Sequence, residues 1–241
     1  MAALNPESEI VTRRLLFHVH TRRSFDSLLS PRRIVVFARQ HHFDAVIVTD
    51  HGTHLGAADV ARAAGDAGPL FPLAAEYKST SGDMIAVFIT QPVMSRDPLG
   101  IIEETHAQGG LVILPHPLRY SHFADEVFER CDLIETFNAR TPDADNARAA
   151  QIAAALNKPT IAGPDAHIGC EMALVTSEYD VPTDWDWKRI LLNAQPRVTA
   201  QKSAWRNIRL SQLYKGCRRV RPVLVAKSLI RLITTPADRR I

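Results

Sequence analysis

The chain has 241 residues, of which 46% are hydrophobic and 23% charged, with a formal net charge of +3; that is the balance of an ordinary globular domain with a sizeable core. Its three cysteines are widely spaced and odd in number, which argues against both a disulfide scaffold and a thiolate metal cage. No basic start leads into an apolar leader, and no apolar run reaches the length of a spanning helix, so a cytoplasmic location is expected.

The net charge conceals an asymmetry. Residues 215–241 carry +7 and the remaining residues sum to −4, so the basic character belongs to the tail and not to a nucleic-acid-binding core.

In chain order, apolar strand-like runs alternate with helical patterns. Strands are predicted at 15–19, 45–49, 70–75, 84–90, 111–114, 133–137 and 159–162. Ser30-Pro31 reads as an N-cap followed by an N1 proline, opening a helix to about Gln40. Further helices are predicted at 57–67, at 98–108 before Gly109-Gly110, and at 145–156 before Asn157 and Pro159. The alternation argues for a largely parallel sheet. The segment 78–83 is too short for a crossover helix, so the strands it joins form an antiparallel or irregular pair. Six or seven strands favour a barrel over an open doubly wound sheet, and no Gly-rich phosphate loop follows any strand.

The polar residues fall in a pattern. In an extended strand, residues i and i+2 share a face, so His18 and His20, at the end of the first strand, are predicted to project together. Asp50 and His51 end the second strand and Glu76 the third. His116 follows Leu-Val-Ile-Leu-Pro, and Asp165 and His167 follow Thr-Ile-Ala-Gly-Pro. Strand C-termini of a parallel barrel share one face, which carries the chemistry. Histidines and carboxylates without thiolates suit Zn²⁺, Mn²⁺ or Fe²⁺, and so many ligand-type groups exceed the needs of one ion. Clustered ions suit phosphoester hydrolysis: they share a hydroxide available near neutral pH, neutralise the phosphate and stabilise the attacking and leaving oxygens.

The set His18-x-His20, Thr49-Asp50-His51-Gly52, Glu76, His116-Pro117 and Asp165-x-His167 resembles the PHP (polymerase and histidinol phosphatase) family of metal-dependent phosphoesterases across residues 14–175. The resemblance implies an α/β fold, a distorted seven-stranded β/α (TIM-like) barrel holding two or three divalent ions. It implies His18, His20, His51, Glu76, His116, Asp165 and His167 as ligands, and Asp26 matches a first-loop position where the family carries His or Asp. Two positions depart from the pattern: Asp83 follows Gly82 where many members place a His, and Pro164 stands where small residues such as Ser are common.

The expected activity is hydrolysis of a phosphomonoester or nucleotide-type substrate, with Asp50, His51 and Asp165 as catalytic candidates. Asp50 is read as a carboxylate orienting a ligand histidine or as an acid/base group. Arg119, Asn138 and Arg140 are candidates for gripping the substrate, either arginine bidentately on phosphate. The expected organisation is an arm at 1–13, a phosphoesterase domain at 14–214 and a basic helical tail at 215–241. From Pro222 the tail could be an amphipathic helix suited to anionic membrane or nucleic acid, or one packed on the barrel. A non-catalytic metal-binding scaffold and an amidohydrolase are the alternatives; the latter would want a bridging lysine, for which Lys78 is the nearby candidate.

Overall fold

A computed structural model describes residues 9–66, 68–219 and 222–234. Residues 1–8 of the expected arm, and Arg221, Asp238, Arg239 and Arg240 of the tail, lie outside the described residues.

The elements run β1 (Ile10–Val19), α1 (Pro31–Gln40), β2 (Ala45–Val48), α2 (Leu55–Ala64), β3 (Ala74–Lys78), β4 (Asp83–Val87), α3 (Pro98–Ala107), β5 (Leu111–Leu114), α4 (Asp125–Arg130), β6 (Leu133–Asn138), α5 (Asp143–Ala155) and β7 (Thr160–Gly163). After them come β8 (Val175–Pro182), α6 (Trp187–Asn193), β9 (Arg197–Ala200), α7 (Trp205–Arg218) and α8 (Pro222–Thr234).

The helix boundaries follow local chemistry. Ser30 caps α1 by accepting from the Arg33 N–H, Asp97 caps α3 from the Gly100 N–H, and each helix begins with a proline. α2 stops three residues short of the predicted end because Gly65 takes a left-handed conformation at φ +66°. β3 starts later than predicted, beyond Pro72, which cannot donate to a ladder.

The strands form two sheets, one of four strands in the order β2-β1-β8-β9 and one of five in the order β3-β4-β5-β6-β7. β1 lies parallel to β2 and antiparallel to β8. The segment 78–83 makes β3 and β4 an antiparallel hairpin, while β5, β6 and β7 run parallel. The predicted single closed sheet is therefore not a continuous ladder. Isolated parallel bridges, Val19 to Ala166 at one seam and Ala45 to Leu70 and His51 to Glu76 at the other, link the two sheets.

Between the sheets sits one inner core with residues from both, including Leu15, Phe17, Ile47, Ile85, Ile113, Leu133, Ile161 and Tyr179. Trp187, Ile190 and Leu191 of α6 belong to the same cluster. Outer cores pack α1 and α2 on the first sheet and α3, α4 and α5 on the second. Along β1, β4 and β5, residues of the inner core alternate with residues of an outer one.

The expected boundaries shift. Residues 10–13 are strand, paired with β8, and the 214/215 boundary falls inside α7. Among the described residues, no helix is long and apolar enough to cross a membrane.

Candidate metal centre

Convergence of His18 and His20 does not come from strand alternation as predicted. Phe17 pairs with Ile47 and Val19 with Val48, leaving His18 as an extra residue in a bulge at φ +64°. β1 ends at Val19, and His20 lies beyond it, held by its N–H on the Ala166 carbonyl at 2.9 Å. The bulge turns the two rings together, with centroids 5.2 Å apart. His116 and Asp165 also have positive φ, 28° and 51°. Three candidate ligands in a sparsely allowed region mark stored backbone strain at a functional site.

The predicted ligands meet. His18 Nε2 lies 3.6 Å from Asp165 Oδ1 and 3.8 Å from Glu76 Oε1, and His20 Nε2 lies 3.2 Å from Asp165 Oδ1. His116 Nε2 is 3.2 Å from Glu76 Oε1, and His51 Nδ1 is 2.8 Å from Glu76 Oε2. Asp26 Oδ1 faces both His51 Nε2 at 3.5 Å and His167 Nε2 at 3.4 Å. Among the described residues, four groupings fall within the span of a single ion: His20–His51–His167, His18–His20–Glu76, His18–His116–Asp165 and Glu76–Asp83–His116. Asp83, the departure from the family pattern, thus stands within ligand reach, although it also pairs with Lys78 at 3.2 Å.

The chemistry of the site fits cations. His18 and His20 are fully buried, and each has one ring nitrogen anchored, Nδ1 of His18 on Glu135 at 2.9 Å and Nδ1 of His20 on Ser24 Oγ at 3.2 Å. Their Nε2 atoms, and Asp26 Oδ1, are buried without a hydrogen bond. An anchored nitrogen opposite a free one is the arrangement in which a second partner orients a metal-binding imidazole.

Charge coupling points the same way. Burial opposes ionisation of Glu76 and Asp165, yet the facing histidines, His51 foremost for Glu76 and His18 for Asp165, hold both carboxyls well below their usual range. Asp26 is likewise held far down against burial by His167 and His51. Burial presses the His18 pKa down, but Glu135 and Asp165 outweigh it and raise it to about 9. His20, buried and crowded by His167 and His51, falls to about 3.

Several sequence expectations need correction in detail. Asp50 does not line the cleft: Thr21 N, Thr21 Oγ1, Ser24 N and Ser24 Oγ all donate to its carboxylate, at 2.8, 2.6, 3.1 and 2.6 Å. It fixes Ser24, which in turn accepts from the His51 N–H at 3.1 Å and contacts His20. A Cβ on Gly56 would fall 1.6 Å from Asp50 Oδ2, so this glycine makes room for the carboxylate.

Asn138 is fully buried, donating to Glu135 at 2.9 Å and accepting from the Arg140 N–H at 2.9 Å. Arg140 is buried too. Its guanidinium meets Glu171 at 2.9 Å, Ser211 Oγ on α7 at 2.8 Å and His167 Nδ1 at 3.0 Å, which leaves it committed to the scaffold. Arg119, a quarter exposed and 3.3 Å from Asp165 Oδ2, is the substrate candidate that stands at the cleft.

Glu135, Glu171 and Phe25 have no place among the sequence candidates. Glu135 accepts from His18, Asn138 and the His116 N–H; an acid inside the apolar run of β6 was its signal. Glu171 receives the His167 N–H and Ser203 Oγ as well as Arg140. Phe25 stacks on His51 with ring centroids 5.0 Å apart, and Lys215 and Arg219 from the end of α7 lie over its ring.

Fold and site together define a mixed α/β protein whose buried histidines and carboxylates are arranged to take divalent cations. Residues 17–96 match the PHP domain and residues 143–192 the PHP-associated family. The chain is 30% identical over 138 residues to protein MJ1587 of Methanocaldococcus jannaschii, itself uncharacterised, spanning 51% of this chain and 80% of that one. Among solved structures it resembles a two-domain protein of Bacteroides vulgatus containing a "predicted PHP-like metal-dependent phosphoesterase". There the TM-score is 0.67 at 17% identity, covering 83% of this chain and 70% of that one. It also resembles an amidohydrolase of Chromobacterium violaceum, with a TM-score of 0.52 at 15% identity, covering 64% and 87%. The chain belongs to the PHP family.

Proposed function

We propose that the protein hydrolyses a phosphoester, a phosphomonoester or nucleotide-type substrate, with two or three divalent ions (Mn, Zn or Fe) held in this cleft. The observation that carries the reading is the meeting of six side chains, His18, His20, Glu76, His116, Asp165 and His51, with buried imidazole nitrogens left unbonded at the centre. In this reading seven of the nine strands, β1 to β7, make up one distorted barrel, supported by the inner core the two sheets share and the bridges at their seams.

His18, His20, Glu76 and Asp165 would hold one ion, Glu76 and His116 with Asp83 a second, and Asp26, His51 and His167 a third. Ions bound there would supply Lewis acidity toward the phosphoryl oxygens and an ionised water near neutral pH. The protein's own part is orientation. Glu135 and Ser24 hold the first two imidazoles with their free nitrogens inward, and Asp50 keeps Ser24 in place. Arg119 sits close enough to Asp165 to bond a phosphate oxygen at the rim, and its planar fork suits that anion. Because His51 is assigned to the third ion, the proton for the leaving oxygen would come from a water in the cleft.

The amidohydrolase reading is less well supported. Lys78 is two-thirds exposed and paired with Asp83, which keeps it from bridging buried ions.

Elemental analysis of the purified protein, paired with a panel of phosphomonoesters and phosphodiesters, tests the assignment. Turnover restored by Mn²⁺ or Zn²⁺ after chelation, and cut at least ~100-fold by Asp165→Ala or His20→Ala, is expected. Arg119→Ala should raise KM several-fold while leaving metal content unchanged. Bound metal without turnover on any ester would instead favour a regulatory scaffold.

A further inference from the structure

α8 packs against α7 through one face, with Ser228 buried and Val225 and Leu232 half-buried. Its opposite face is apolar and open. Val223, Ile230 and Ile233 are 65%, 60% and 83% exposed, with exposed Ala226 between them. The spacing 223, 226, 230, 233 follows the helical repeat, so these residues form one continuous stripe along the outer face. Exposed Leu229 extends the apolar side, while Lys227 and Arg231, both exposed, run along the other flank. A stripe of aliphatic side chains on the outside of a helix has a favourable use only against another apolar medium.

Charge selects the medium. No Asp or Glu stands between Asp186 and Asp238, while twelve Lys and Arg do. Burial first, and then the nearby Arg231, disfavour the charge of Arg209 on α7. A second copy of the chain would bring these basic helices against each other, and like charges would oppose pairing. Nucleic acid would use the cations but leave Ile230 and Ile233 in water. An anionic bilayer satisfies both halves: acyl chains take the stripe, and phosphate or carboxylate headgroups face the basic flank.

We propose that α8 lies in the headgroup region of an anionic lipid membrane, with the stripe Val223, Ala226, Ile230 and Ile233 inserted and Lys227 and Arg231 paired with lipid headgroups. The proposal does not depend on the phosphoesterase reading.

Cosedimentation of the full chain with phosphatidylcholine vesicles, and with vesicles containing phosphatidylserine, tests it. Binding to the anionic vesicles should exceed that to neutral ones by roughly tenfold or more and should weaken with salt. The double variant Ile230→Asp, Ile233→Asp should abolish it with an unchanged thermal melt, since both positions are exposed. Lys227→Glu with Arg231→Glu should reduce it several-fold. Wild-type protein that ignores anionic vesicles would overturn the proposal. So would vesicle binding that survives both double variants, retention on an oligonucleotide but not on vesicles, or a dimer in light scattering that Ile230→Asp dissolves.

Discussion

The candidate histidines are held by residues outside the metal groupings: Glu135, Ser24 and Glu171. Glu135 is the clearest case: one carboxylate orients His18, receives the His116 N–H and is itself fixed by Asn138. Glu135→Gln keeps the shape but removes the charge behind His18, so divalent-ion affinity should fall ~10–100-fold by calorimetry. Gly163 supports the same pair from beneath, since a Cβ there would fall 2.7 Å from His18 Cβ and 2.8 Å from Glu135 Oε1. Gly163→Ala should therefore lower both melting temperature and metal affinity, with a smaller effect at exposed Gly52, where an added Cβ meets nothing. His18 could be found from the sequence because two histidines flanking one residue at a strand end are conspicuous. Glu135 shows in the sequence only as an acid inside an apolar run, and its role depends on the fold bringing β6 to where its carboxylate meets His18.

Among the elements, α7 is more than a tail. Ser211 bonds Arg140, Ser203 just before α7 bonds Glu171, and at its far end Arg218 donates to the carbonyl of Arg22 at 2.9 Å. It thus ties together the segment bearing His167 and the loop bearing Asp26. Glu171→Ala would leave the Arg140 charge buried without its carboxylate, which costs about 3–5 kcal/mol; urea unfolding should show a loss of that order. Arg23→Ala, which breaks a pair with Asp59 on a half-exposed side chain, should cost no more than about 1 kcal/mol. Equal effects of the two substitutions would count against the buried network as the fastener of α7.

For the whole molecule, the cleft makes stability depend on pH and on metal together. Without metal, His18 has its pKa raised from 6.5 to about 9. Its protonated form therefore stabilises the fold fully below 6.5, and that contribution is lost as pH rises toward 9. Glu76 and Asp165, held low, contribute above the ordinary carboxylate range and lose that contribution as pH falls through their depressed values. His20, lowered to about 3, must be charged on unfolding below 6.5, so it adds to the acid loss. Thermal melts in chelator should peak near neutrality and drop by several degrees toward pH 9. Saturating Mn²⁺ or Zn²⁺ should remove the alkaline decline, because bound imidazoles are already deprotonated. A flat metal-free profile between pH 6.5 and 9 would contradict the assigned coupling between His18 and Glu135.

Strand periodicity, proline and glycine punctuation and the recurrence of His and acids at strand ends are local properties, and they sufficed for the α/β class, for most strand and helix cores and for the candidate ligands. β8 lies beyond the predicted strands, although its buried Val175, Ser177, Tyr179 and Val181 alternate with the more exposed Thr176, Glu178 and Asp180. The bulge at His18, the split of the strands into two sheets, and the commitment of Arg140 and Asn138 to the scaffold were decided only by tertiary structure. A residue's type tells what it can bond, but whether its bonds go to substrate, metal or a buried neighbour depends on strands and helices brought beside it from more than a hundred residues away, as Glu135 is from His18.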